Sequence, residues 1–126
     1  MKLTSNELEM MEVLWKEGRP LSRTEIIKLS PEDKSWKDSS IHILLNSLLK
    51  KEAIREAGFI KTGKSYGRTF EPTESGEEYF AKLAAETVRK TSIPMFFSAL
   101  FQDESMTEET LQEMEKLIEE KKRELE

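Results

Sequence analysis

The sequence predicts a mainly α-helical protein, in which three short helices and a β-hairpin come first and further helices follow. Three observations predict it. Two helix-capping signals lie within the first 25 residues, an apolar stripe with helical spacing covers residues 41–48, and two strand-like segments flank a glycine turn near residue 63. Helices therefore dominate, and the only sheet expected is a hairpin.

The first two helices are predicted by their capping signals. Thr4–Glu7 forms a capping box, in which Glu7 follows Thr4 by three residues, so the first helix is expected over Ser5–Glu17 and to stop at Gly18. Ser22–Glu25 repeats the signal. The second helix is therefore short and is expected to end near Ser30, because Pro31 follows.

The third helix and the hairpin follow a polar loop over Pro31–Lys37. Four apolar residues at helical spacing indicate a helix over about Asp38–Lys51; they are Ile41, Leu44, Leu45 and Leu48. The backbone becomes extended from Ala53, and the residues from Phe59 to Phe70 are typical of a hairpin that turns at Gly63. Three helices followed by such a hairpin are the order of a winged helix-turn-helix, which is the fold predicted for residues 1–72.

Residues 73–126 are predicted to form a helical region that pairs two copies of the chain. A third capping box begins at Ser75, Pro94 interrupts the helical pattern, residues 95–101 are interpreted as an apolar loop, and a last helix begins near Thr107. Two separated helices and a loop cannot bury this much apolar surface alone, so a homodimer is expected. The residues expected to dimerise are Tyr79, Phe80, Leu83, Val88, Met95, Phe96, Phe97, Leu100, Phe101, Leu111, Met114, Leu117 and Ile118.

Composition narrows the class of protein. The 126 residues contain no cysteine, which excludes disulfides and thiolate metal sites. No apolar run approaches the roughly 18 residues of a membrane span. The N-terminus lacks the features of a signal peptide, so a cytoplasmic protein is expected. No set of acids, bases or metal ligands has catalytic spacing. The sequence therefore predicts no enzyme, cofactor or metal, and Trp15 and Trp36 are interpreted as core residues.

The distribution of charge favours a nucleic-acid partner, although the net charge is −5. Residues 1–72 carry 13 basic and 11 acidic side chains, residues 73–126 carry 7 and 14, and residues 34–68 carry 8 and 3. Contact with phosphates depends on a local basic face rather than on the total charge. The basic excess coincides with the third helix and the hairpin.

The third helix has a polar face opposite its apolar stripe, as a helix in the major groove requires. Asn46 suits adenine, Ile43 suits a thymine methyl, and Lys50 suits a phosphate or guanine. The candidate DNA-binding residues are Lys37, Ser39, Ser40, His42, Ile43, Asn46, Ser47 and Lys50 on and before the third helix, and Lys61, Lys64 and Arg68 on the hairpin. The predicted partner is double-stranded operator DNA.

Less specific interpretations remain open. A polar face opposite an apolar stripe is common to surface helices, and lysines on a hairpin also protect a sheet edge from pairing with other chains. His42, the single histidine, is more often a surface residue than a ligand or base. The main alternative is a winged-helix module that binds protein and not DNA; a nearer variant is a regulator that responds to a small molecule.

The sequence also resembles the penicillinase repressor family (BlaI/MecI type) along nearly its whole length. The resemblance rests on LTSNELEMMEVLWKEG, on SWKDSSIHILLNSLLKKEAI, on the aromatic-x-Pro end of the hairpin at Phe70–Pro72, and on MTEETLQEMEKLIEEKK. It implies a dimeric winged-helix repressor of a resistance or stress operon that binds inverted repeats. It also implies that the recognition helix and wing are Lys37–Lys50 and Lys61–Arg68.

Two features depart from the pattern of that family. Known members are inactivated when a membrane metalloprotease sensor cuts an Asn-Phe bond before the last helix, and this sequence has Ala99-Leu100 near that place. Copper-responsive relatives carry a C-terminal cysteine cluster, which this sequence lacks. The resemblance therefore leaves the upstream sensor or protease unknown.

Overall fold

The computed structural model describes residues 2–63 and 65–126. Its helices and strands follow the predicted order, except for one short strand and one helix that were not predicted. They are α1 (Ser5–Glu17), β1 (Leu21–Ser22), α2 (Arg23–Leu29), α3 (Ile41–Lys50), β2 (Ile54–Thr62), β3 (Ser65–Pro72), α4 (Gly76–Arg89), α5 (Ile93–Phe101) and α6 (Glu108–Leu125), with a 3-10 turn at Asp38–Ser40 before α3. The chain divides into two compact units, Met1–Phe80 and Ala81–Glu126.

The two predicted capping boxes are present and set where α1 and α2 begin. Thr4 accepts from the backbone N–H of Glu7 while the Glu7 carboxylate accepts from that of Thr4, and Ser22 and Glu25 do the same in α2. Helix α1 ends at Gly18, whose φ of 66° lies in the left-handed region that glycine adopts at low cost. These helix boundaries confirm the predictions.

The hairpin of β2 and β3, here called the wing, belongs to a three-stranded antiparallel sheet of order β1-β3-β2. The two-residue strand β1, which the sequence did not predict, pairs Leu21 with Phe70 and so ties the wing to the helices. A bulge between Glu56 and Gly58 shifts the register of β2 against β3. The wing is thus anchored to the core at the end that pairs with β1.

The core of the first unit lies between α1, α2, α3 and the base of the wing. Its buried members are Met10, Met11, Val13, Leu14, Leu21, Ile26, Trp36, Ile41, Leu45, Leu48, Ala53, Ile54 and Phe70. Trp36 is confirmed as a core residue. Trp15 is partly buried against this core, and its indole N–H donates to the Glu74 carbonyl over 3.0 Å.

In the second unit the prediction for residues 95–101 was wrong, because they form α5 rather than a loop. Pro94 lies in the first turn of this helix, where a missing N–H removes no helical hydrogen bond. Ser92 caps the N-terminus of the helix, because its side chain accepts a hydrogen bond from the backbone N–H of Met95. The last helix begins after Thr107, as predicted. Among the described residues, no helix is both long and apolar enough to cross a bilayer.

Candidate nucleic-acid interface

Helix α3 divides into a buried and an exposed side. Ile41, Leu45 and Leu48 face the core, and Leu44 is partly buried. The exposed residues of the helix are His42, Ile43, Asn46 and Lys50. Ile43 is 72% exposed, although burying such a side chain is worth about 1.5–3 kcal/mol. An exposed isoleucine among polar groups gives this side an apolar point of contact.

The segment before α3 adds further polar groups at the same end of the helix. Lys37 and Ser39 are exposed, and Ser40 is half-buried. The predicted single helix from Asp38 is in fact a 3-10 turn followed by α3, and neither Lys37 nor Ser40 caps it with a side chain. Their side chains are therefore not used to begin the helix.

Ser47 differs from the other polar residues of α3, because its hydroxyl points inward. It donates to Oε2 of Glu7 over 2.7 Å. Glu7 is only 1% exposed and also accepts from the Thr4 N–H over 2.8 Å and from Nζ of Lys51. The capping glutamate of α1 thus fastens the last turn of α3, a role that the sequence did not reveal.

The pKa of Glu7 reflects this arrangement. Burial raises the pKa, but the hydrogen bonds from Lys51, Ser47 and Thr4 outweigh burial and lower it to about 2. The carboxylate is therefore charged throughout the physiological range. Together the three partners offset the cost of burying this charge.

One face of the wing carries both aromatic and basic side chains. Phe59 opposes Arg68 and Lys61 opposes Tyr66, and opposed residues of an antiparallel pair share a face. Alternation along β3 places Tyr66 and Arg68 on the same face as Phe70, which belongs to the core. All four wing residues are exposed. Lys64, the remaining predicted wing residue, lies outside the described residues.

Arg23, at the start of α2, is a candidate that the sequence did not single out. Its guanidinium donates from Nη1 to Nε2 of His42 on α3, 19 residues away. Together with Arg68 it borders a cleft between α2, α3 and the wing. Sequence spacing gives no sign of this proximity, which arises only when α2 and α3 pack together.

The residues predicted to dimerise fall into three groups by exposure. Tyr79 is 5% exposed and packs on Trp15, with ring centroids 5.7 Å apart. Val88, Phe96 and Met114 are half-buried, and the rest are exposed, namely Phe80, Leu83, Met95, Phe97, Leu100, Phe101, Leu111, Leu117 and Ile118. No residue of α5 or α6 is fully buried within this single chain.

In residues 2–63 and 65–126, no group of three or more His, Asp or Glu side chains is arranged to hold a metal ion.

Comparison with known proteins gives matches of three kinds. A protein from Latilactobacillus sakei described as "Uncharacterized 16.5 kDa protein in ptsI 3'region" is 38% identical over 77 residues, which cover 61% of this chain and 47% of that protein. The match thus spans about half the length of that relative. The crystal structure of the adhesin competence repressor (AdcR) from Streptococcus pyogenes superposes with a TM-score of 0.45 and 16% identity, over 98% of this chain and 81% of that chain.

The family comparison covers nearly the whole chain. Residues 3–120 match the family model described as penicillinase repressor. This match confirms the resemblance seen in the sequence, and the three helices and wing of the first unit confirm the predicted winged helix-turn-helix. The chain belongs to the penicillinase repressor family, and its first unit is a winged helix-turn-helix.

Proposed function

We propose that the protein is a cytoplasmic, homodimeric repressor that binds double-stranded DNA at an inverted-repeat operator. The genes that it controls would form a resistance or stress operon. In this proposal α3 enters the major groove and the wing lies on the adjacent backbone. The observation that carries it is the exposed side of α3, where Ile43, Asn46 and Lys50 extend from a helix fixed by its opposite side. A rigid helix with a free polar face is what groove recognition requires.

Base recognition is assigned to two residues of α3. Asn46 offers one donor and one acceptor, which match N7 and N6 of adenine, and Ile43 offers methyl groups to a thymine methyl. His42, Lys50 and the group of Lys37, Ser39 and Ser40 are assigned to phosphates or neighbouring bases. Ser47 is assigned to the Glu7 network instead, because its hydroxyl is already used there.

Asn46→Ala tests base recognition. We expect binding to an inverted repeat, selected from a random duplex pool, to weaken by about 1–3 kcal/mol per half-site, with specificity relaxed at one base pair. Gln112→Ala, which removes an exposed amide from α6, should change nothing. If Asn46→Ala binds the selected repeat and its single-base variants as the wild type does, Asn46 does not read a base.

Dimerisation is proposed for residues 73–126, and DNA binding for residues 1–72. The apolar residues of α5 and α6 support it, because exposed side chains such as Met95, Leu117 and Ile118 would be covered by a second copy. Tyr79 is left out of this surface, since it packs on Trp15 in its own chain. A two-fold pair would present two copies of α3 to the two halves of a palindrome.

The signal that ends repression is left open in this proposal. The Ala99-Leu100 bond lies inside α5, so a protease would have to unwind that helix before cutting it. Neither an upstream sensor nor a small molecule is assigned.

A further inference from the structure

A cleft of about 260 Å³ opens between α2, α3 and the wing. Leu45 and Phe70 belong to its lining and to the core, so the cleft borders the rigid part of the first unit. Its polar lining includes Arg23 and Thr24 on α2, His42 on α3, and Tyr66 and Arg68 on the wing. Three separate elements thus contribute to one concave surface.

The charged side chains that line this cleft are basic. Of the described residues that line it, none is an aspartate or glutamate, whereas two are arginines. A second cleft, between α1 and the segment that ends at Trp36, differs in this respect, because four carboxylates belong to its lining: Glu9, Glu12, Glu17 and Asp33. The first cleft is therefore complementary to an anion, and the second is not.

Both arginines of the cleft are held before any ligand arrives. Arg23 donates to His42, so the recognition helix fixes the direction of its guanidinium. Arg68 lies over the Phe70 ring, with 5.4 Å between Cζ and the ring centroid, and pairs with Glu56. Each guanidinium has further N–H donors beyond these contacts, and a planar guanidinium binds phosphate oxygens in pairs.

We propose that this cleft seats one backbone phosphate of the bound DNA, with Arg23 and Arg68 as its ligands and His42 as the residue that positions Arg23. The inference rests on the proposed function and adds to it a fixed phosphate contact between the recognition helix and the wing. Such a contact sets the register of α3 in the groove, because phosphate contacts orient a protein on the duplex while base contacts specify the sequence.

The test is a scan of single phosphates. Duplexes of the selected inverted repeat carry one neutral methylphosphonate at a time, placed symmetrically in both half-sites, and are bound by the wild type, by Arg23→Ala and by Arg55→Ala. Arg55 is a matched control, since it is an exposed wing arginine paired with Glu71 and faces away from Phe70. Thermal melting confirms that each variant is folded.

If the cleft binds one phosphate, a methylphosphonate at one position of the duplex should weaken wild-type binding by about ten-fold per half-site. A ten-fold loss is what the removal of one charged hydrogen bond is expected to cause. At that position the loss caused by the methylphosphonate should be smaller for Arg23→Ala than for the wild type, because only Arg68 remains to bind the charged phosphate. Arg55→Ala should retain the full ten-fold loss there. Inorganic phosphate, added at constant ionic strength, should compete only weakly, since the DNA holds its phosphate in place through many other contacts.

Two results would contradict the proposed phosphate site in different ways. If the wild type binds the repeat, but Arg23→Ala shows the same loss of affinity as the wild type at every methylphosphonate position, the phosphate site is wrong while the proposed function stands. If the wild type itself does not distinguish the repeat from random DNA, the proposed function is wrong, and the phosphate site that rests on it is wrong as well. Strong competition by millimolar inorganic phosphate would instead identify a site for free anions.

Discussion

Glu7→Gln should lower the free energy of unfolding at neutral pH by roughly 3 kcal/mol. The pKa of Glu7 falls from 4.5 to about 2 on folding, and each unit of pKa corresponds to about 1.4 kcal/mol of preference for the charged form. Glutamine has the same shape but no charge, so it cannot pair with Lys51. The last turn of α3 would lose its attachment to the Glu7 carboxylate of α1, which is almost completely buried.

Urea unfolding of both proteins measures this effect, and Glu25→Gln supplies the control. Glu25 occupies the same place in the second capping box, but among the described residues its ion pair is with the half-exposed Arg19 rather than with a residue at the end of α3. Its loss should cost only about 1 kcal/mol, as expected for a cap. Equal losses from the two variants would show that Glu7 acts as a helix cap and no more.

The same network predicts how stability depends on pH. A group whose pKa is lower in the folded state stabilises the fold fully above its unfolded pKa, and this contribution is lost as the pH falls towards the folded pKa. For Glu7 the window runs from about 4.5 down to about 2. The difference in stability between wild type and Glu7→Gln should therefore be constant above pH 5.5 and shrink through this window.

Leu117→Asp combined with Ile118→Asp should convert the protein to a monomer and weaken operator binding by roughly 10²–10⁴-fold. Both side chains are exposed on α6, and a buried carboxylate without a partner opposes association strongly. A monomer holds only one half-site, so it loses the high effective concentration that tethers the second recognition helix. Light scattering and a binding titration on one sample measure the two effects.

The control for this pair is Gln112→Glu. It adds negative charge to α6 outside the apolar stripe, about 100° around the helix from Leu111. It should leave both the mass and the affinity unchanged. If the double aspartate variant stays dimeric, α6 does not lie in the interface.

Local signals in the sequence predicted most of the fold. The capping boxes at Thr4 and Ser22 act within one helical turn, and the stripe of α3 reports its own buried side, so both are visible in a short window. The same reasoning failed for residues 95–101, because Pro94 was interpreted as a break although proline is tolerated in a first turn.

Only part of the candidate interface could be predicted from the sequence. The exposed face of α3 follows from helical spacing, but the approach of Arg23 to His42 and of Glu7 to Ser47 depends on how helices pack. Likewise, the shared face of Lys61, Tyr66 and Arg68 depends on the register of the hairpin, which the bulge near Gly58 adjusts. Contacts between distant segments leave no periodic trace in the sequence.

The most direct test of the proposed function is a binding titration across a salt series, with the DNA upstream of the protein's own reading frame and a shuffled duplex of the same composition. We predict a preference of about 10³-fold or more for the upstream DNA, two chains per site, and a steep linear fall of log K with log salt. Equal and salt-independent binding to both duplexes, or none, would contradict operator recognition and favour a winged helix that binds protein.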